Sequence, residues 1–112
     1  MGLYRLYTGA DGESHVEELK PADRPELRQL QPAAGVRLQE FPAKQFLDWH
    51  PAPRRQWVII VSGGLEIGLG DGTSRRFGPG DARLVEDTTG RGHTTRTLGE
   101  EPCFTIVVPL AG

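Results

Sequence analysis

Short runs of alternating apolar and polar residues, separated by turn-forming residues, cover most of the chain. The strongest run, Trp57–Val61, is β-branched and apolar on both faces, which predicts a strand with neighbours on each side. The pairs Asp11-Gly12 and Asp71-Gly72 are hairpin signals between strand-like runs. No segment between the runs is long enough for a crossover helix. The pattern therefore predicts an all-β fold of about ten short strands, arranged as a sandwich or a barrel.

Turn residues set the bounds of these predicted strands. We predict strands at residues 3–8, 14–19, 36–41, 45–50, 57–61, 65–69, 74–77, 82–86, 93–98 and 104–108. The stretch Pro21 to Leu30 contains prolines and charged residues, so we interpret it as a loop with one helical turn. Because side chains alternate along a strand, Asp48 and His50 are expected to share one face of theirs. Gln56 and Val58 share a face of the next strand by the same rule.

Composition narrows the class of protein. With 112 residues, 37% hydrophobic and 25% charged, residues 1–112 are expected to form one globular domain. The formal net charge is −2, and no basic stripe or polybasic run indicates nucleic acid or membrane as a partner. No apolar run is long enough to span a bilayer, and no secretory signal is visible. Together with a single cysteine, Cys103, these observations predict a cytoplasmic protein.

Two spaced motifs lie in the middle of the chain. The first follows the pattern G-x5-H-x-H-x3/4-E-x6-G. His50 stands at its first histidine position, Ala52 at the second, Gln56 at the glutamate position and Gly63 at the closing glycine. The residues between Gln56 and Gly63 have the required spacing.

The second motif follows the pattern G-x5-P-x-G-x2-H-x3-N. Gly90 and His93 match its glycine and its histidine, whereas Thr88 replaces the proline and Thr97 the asparagine. On these two motifs the segment from His50 to His93 resembles the cupin superfamily. It also resembles small bacterial single-domain cupins that carry the segments HPAPRRQ and EDTTGxGH.

The resemblance implies a cupin-type jelly-roll β-barrel of two antiparallel sheets, with a pocket between them. It implies that His50 and Gln56 lie on neighbouring strands, that His93 comes from a third, and that their side chains meet inside the barrel. It also implies a homodimer. The usual metal set of the family has three histidines and one glutamate, and Ala52 and Gln56 depart from it.

The cluster of His50, Gln56 and His93 leaves two main functions open; a structural or storage barrel is a third, which these polar residues disfavour because it needs a filled interior. The first is an enzyme of isomerase, lyase or oxygenase type with His50 and His93 as catalytic residues. Those two histidines and Gln56 would bind one divalent transition metal, Zn, Fe, Mn, Ni or Cu. Without a metal, one histidine would act as general base near neutral pH. The second is a binding or sensing module, in which the same polar residues orient a small organic molecule.

Other residues are weaker candidates for this pocket. Gln56 and Val58 would contact the ligand, Asp48 would join through the face it shares with His50, and Glu86 or Asp87 could supply a carboxylate. Arg54 is expected to point inward at the rim, where a guanidinium would bind a carboxylate or a phosphate; a solvated loop residue is the alternative.

His15 would reach the pocket if the first hairpin folds over the barrel mouth; otherwise it packs on that hairpin. The glycines around Arg91 do not make a phosphate loop, because no Lys-Ser/Thr pair and no helix follow. We expect those glycines to let the loop turn and bring His93 to the pocket.

Overall fold

The computed structural model describes residues 2–111, and ten short strands make up about half of this range. In chain order they are β1 (Leu3–Thr8), β2 (Ser14–Leu19), β3 (Arg37–Phe41), β4 (Phe46–His50), β5 (Gln56–Ser62), β6 (Leu65–Gly68), β7 (Ser74–Phe77), β8 (Ala82–Val85), β9 (His93–Thr97) and β10 (Cys103–Pro109). The predicted strands are confirmed to within one residue at each end. The predicted single helical turn is instead two 3₁₀ helices, Pro21–Asp23 and Pro25–Arg28.

The strands form two sheets. The larger has the order β2-β1-β8-β5-β10-β3, and the smaller has the order β4-β9-β6-β7. The predicted jelly roll is confirmed, as two sheets that pack on each other rather than one closed cylinder. One detail of the prediction is wrong, because β1 pairs with β8 in parallel. A parallel pair needs a long connection, and here the whole chain from β2 to β7 supplies it.

Side chains from both sheets meet in a common apolar core. The six-stranded sheet contributes Leu6, Ile60 and Val107, and the four-stranded sheet contributes Leu65 and Ile67, all at most 1% exposed. Inward residues two apart on each strand produce this core, as the alternation predicts. The polar residues described below occupy the same interior layer.

Strand β5 lies in the middle of the larger sheet, between β8 and β10. Gln56, Val58 and Ile60 face the interior and are buried. The outward side chain of Trp57 is half-buried and donates from Nε1 to Oε1 of Gln31, at 2.8 Å. The segment between β2 and β3 therefore contacts the outer face, which explains why β5 is apolar on both sides.

No helix in the part of the chain that the structure describes is long and apolar enough to cross a membrane.

The inward and outward faces of β5 can be separated by two substitutions on adjacent residues. Ile60→Ala should lower the free energy of unfolding by about 2–5 kcal/mol, because it leaves a cavity in the core. Val61→Ala, at a side chain 55% exposed, should change it by about 0.5 kcal/mol or less. Urea denaturation measures both values. Equal losses in the two variants would contradict this assignment of faces.

Candidate active site

His50 and His93 face each other across two neighbouring strands. His50 on β4 is the register partner of His93 on β9, and their ring centroids are 4.7 Å apart. The register shifts within β4, where Leu47 pairs with Thr95 and His50 pairs with His93. Three residue steps on β4 therefore correspond to two steps on β9. This irregularity puts Leu47 and His50 on the same inward face.

A close backbone approach accompanies this pairing. Gly92, just before β9, has a φ of +80°, and a Cβ there would lie 1.9 Å from the carbonyl oxygen of His50. Only glycine fits so close to the neighbouring strand. The expected role of the loop glycines in bringing His93 to the pocket agrees with this geometry.

Each ring is held through its Nδ1 atom. Nδ1 of His50 bonds the carbonyl oxygen of Asp48 at 2.7 Å, and Nδ1 of His93 bonds Oδ2 of Asp87 at 2.5 Å. A carbonyl oxygen can only accept, so Nδ1 of His50 is the donor, and an ionised carboxylate likewise requires a donor on His93. The Nε2 atom of each neutral ring therefore carries a lone pair, and neither Nε2 has a hydrogen-bond partner among residues 2–111.

Asp87 connects the first hairpin to this pair. Its carboxylate is fully buried, and its Oδ2 accepts both from His93 and from Oγ of Ser14, the latter at 2.6 Å. Ser14 opens β2 and is itself 2% exposed. The preceding residue, Glu86, turns outward and accepts from Arg5 and Arg55. Alternation at the end of β8 thus separates an inward carboxylate from an outward one.

Two opposing effects determine the pKa of the outward carboxylate, that of Glu86. Partial burial pushes the pKa of Glu86 up, but hydrogen bonds from Arg5 and Arg55 more than offset this and leave that pKa below its usual value. Glu86 is therefore ionised near neutral pH and bridges β1 to the loop before β5. It lies outside the cavity and does not act there.

A cavity of about 140 Å³ lies between the sheets beside the two histidines. Val58 is among its apolar lining residues, and its polar lining comes from Arg37, Gln39, His50, Gln56, Arg83, His93 and Thr95. The predicted meeting of residues 50, 56 and 93 is thus confirmed as geometry, and their chemical roles stay predictions. The expectation that His50 and Gln56 lie on neighbouring strands is wrong, because β4 and β5 belong to different sheets. Arg83 was not foreseen, although a charged residue in the short apolar run of β8 is a visible signal.

Two expected lining residues lie elsewhere. Asp48 is exposed and caps the backbone N–H of Trp49, so the predicted face shared with His50 is wrong. The cause is the register shift within β4, which reverses the alternation at that point. Arg54 is exposed and is not part of the cavity lining; it lines an adjoining groove that shares Pro53 and Gln56 with the cavity.

The third histidine, His15, packs on the first hairpin, which is the second of the two positions expected for it. His15 lies on β2, where its ring packs on Tyr7 and its Nε2 bonds the carboxylate of Asp11 at 3.0 Å. It is not part of the cavity lining.

The donors of the cavity are a poor fit for a divalent metal. His50, His93 and Gln56 offer two neutral imidazoles and a neutral amide. Asp87 does not line the cavity, and its Oδ2 is bonded to Ser14 and His93. Among residues 2–111 no three His, Cys, Asp or Glu side chains are arranged to hold a metal, and Arg83 adds positive charge to the same lining. The residues present therefore do not fit a tightly held divalent cation.

Comparison with known proteins gives a fold and no activity. No protein-family model and no curated protein matches the chain. A double-stranded β-helix protein from Klebsiella pneumoniae superposes with a TM-score of 0.54 at 20% identity, over 74% of this chain and 76% of that one.

Two further solved structures share the architecture. The polyketide cyclase RemF from Streptomyces resistomycificus has a TM-score of 0.58 at 19% identity, over 95% of this chain and 70% of that one. The Cnp3 cupin domain from Schizosaccharomyces pombe has a TM-score of 0.54 at 15% identity, over 74% of this chain. The match spans 57% of that second chain, just over half its length.

Replacing Gln56 by glutamate tests the role of charge in metal binding. Gln56→Glu would complete a two-histidine, one-carboxylate set, so it should bind Co²⁺ at least about tenfold more tightly than the wild type. Titration with Co²⁺ and its visible absorption measures this. The control Gln31→Glu, outside the cavity, should leave affinity unchanged. Stoichiometric metal retained by the wild-type protein after dialysis would contradict the poor fit.

Proposed function

This chain has the double-stranded β-helix fold of the cupins, and from that premise we propose that it binds a small organic molecule between its two sheets. The cavity of about 140 Å³ is smaller than the roughly 300–1,000 Å³ of a drug-sized pocket. A fitting occupant therefore has only a few heavy atoms. His50, Gln56 and His93 supply the polar contacts, and Val58 supplies an apolar one.

The observation that carries this proposal is the pair of fixed imidazoles. Both Nδ1 atoms are engaged, so each Nε2 offers a lone pair without a protein partner. A ligand hydroxyl or amino group can donate to either lone pair. The buried amide of Gln56 adds both a donor and an acceptor.

Binding can be measured by NMR with two small probes, glycolate and glycolamide, which share a hydroxyl group. At least one should cause saturable shifts of the His50 and His93 ring signals, because the hydroxyl donates to an imidazole. His93→Phe and His50→Phe should abolish this binding, and His15→Phe should keep it because His15 lies outside the cavity. Binding that survives loss of either cavity histidine, or no binding of either probe, would contradict the proposal.

A second candidate function, acid–base catalysis, is favoured by the bond between His93 and Asp87. The buried carboxylate holds the imidazole in one tautomer and stabilises the imidazolium that forms when Nε2 takes a proton. Such a base could remove a proton from carbon beside a carbonyl group. The C–H electron pair then moves to the carbonyl oxygen as an enolate, and the proton resides on His93. Asp87 and Ser14 act here as positioning residues, since neither lines the cavity.

Exchange of the methyl protons of pyruvate in D₂O tests this candidate. The wild type should exchange them faster than buffer alone, and His93→Gln should lose about 10²-fold or more of that rate. Asp87→Asn should also slow exchange and alter its pH profile, because the imidazolium loses its counter-charge. His15→Gln serves as the control. An equal rate in wild type and His93→Gln would rule His93 out as the base.

Assembly and location stay predictions. The family resemblance favours a homodimer, and the outer face of the larger sheet exposes Leu38, Val61 and Phe104, an apolar surface that a second copy would cover. The predicted cytoplasmic location, the bacterial source and the bound metal likewise stay predictions.

A further inference from the structure

We infer that the cavity is built for the carboxylate of a small organic acid, with the guanidinium of Arg83 as its counter-charge. The inference rests on the proposed small-molecule site and names the chemical class of its ligand. It starts from a single residue, the cation in the middle of β8.

Arg83 points into the interior of the sandwich. Its register partner on β5 is Val58, a core residue, and its partner on β1 is Tyr4, which packs against the core. Arg83 is 5% exposed and lines the same cavity as His50 and His93. Its neighbour two residues on, Val85, lines that cavity as well.

The guanidinium lacks a bonding partner on two of its nitrogens. Nε and Nη1 are buried and have no hydrogen-bond partner among residues 2–111. No carboxylate in that range forms an ion pair with it. Its recorded contact is with the ring of Phe77, 5.0 Å from the guanidinium carbon, which does not satisfy an N–H donor fully. A buried cation of this kind costs free energy unless something neutralises it.

Nearby acidic groups do not neutralise Arg83 by contact. Burial lowers the pKa of Arg83 to about 10, and Cys103, Asp87 and Asp81 oppose this from a distance. The guanidinium thus stays charged at neutral pH. Burial raises the pKa of the Cys103 thiol, which leaves it uncharged. Asp81 accepts from the backbone of Gly78.

Asp87 is the remaining internal candidate for a counter-charge. Its Oδ2 bonds Ser14 and His93, while its Oδ1 has no partner within the described range. An internal pair between Oδ1 and Arg83 is thus the competing explanation for the buried arginine. The stability of variants at position 83 distinguishes the two, because removing one partner of a buried ion pair is strongly destabilising.

The cavity lining therefore presents a buried guanidinium, that of Arg83, an exposed one, that of Arg37, and two imidazole acceptors. A carboxylate accepts two N–H bonds from a guanidinium, and a hydroxyl donates to an imidazole. A small hydroxy acid satisfies both groups at once. A halide satisfies the charge alone.

The test compares glycolate with glycolamide, which differ in charge and little in size. Wild-type protein should bind glycolate at least about tenfold more tightly than glycolamide, as measured by NMR titration at constant ionic strength. Arg83→Met should remove this preference, and Arg83→Lys should keep part of it. Without ligand, Arg83→Met should have a Tm at or above that of the wild type. Arg28→Met, an exposed arginine of the second 3₁₀ helix, is the matched control and should keep the full preference.

The possible outcomes test the carboxylate inference and the proposed binding site separately. Equal affinity for the two probes overturns the carboxylate inference and leaves the proposed binding site standing, whereas binding of neither probe overturns both. A marked loss of Tm in Arg83→Met, relieved when Asp87 is also replaced by asparagine, assigns Arg83 to an internal ion pair and overturns the inference. Chloride that displaces glycolate at equal concentration shows an inorganic anion site instead.

Discussion

The register between β4 and β9 is the constraint on which the cavity depends. One irregularity after Leu47 turns His50 inward opposite His93, and a glycine at position 92 allows the two backbones to approach. Without that shift, strict alternation would place Asp48 and His50 on one face and supply a carboxylate to the cavity. The bulge therefore keeps the carboxylate of Asp48 out of the cavity while both imidazoles stay in its lining.

Two other residues, Gln56 and Arg83, also make the cavity lining less negative. Gln56 stands where the resembling motif has a glutamate, so the third donor of that motif is neutral. Arg83, on β8 of the larger sheet, brings a positive charge to the cavity lining. Loss of carboxylates and gain of a guanidinium both disfavour cations and favour anions. These changes are consistent with the negatively charged ligand that we infer.

The sequence predicted what short-range rules control. Strand positions follow from turn residues and alternation. Alternation also places Gln56, Val58 and Ile60 on one face of β5, and the cupin resemblance identifies that face as the interior. The error at Asp48 arose because a bulge depends on the partner strand, which a single run of residues does not reveal. Arg54 was misplaced because the loop after Pro53 has no strand periodicity from which to read a direction. Ser14 was missed because its partner lies 73 residues away, and no local pattern links the two.

That long separation has a consequence for how the cavity forms. The hydroxyl of Ser14 belongs to the first hairpin, whereas Asp87 follows the end of β8. The two segments meet because β1 of that hairpin pairs with β8 in parallel. We expect contacts between such remote segments to form late in folding, because closing a long loop carries an entropic cost. The polar chain from Ser14 to His93 therefore reports on completed folding. Trimming the amino-terminal hairpin would remove an edge of the larger sheet together with a group that holds the buried carboxylate in place.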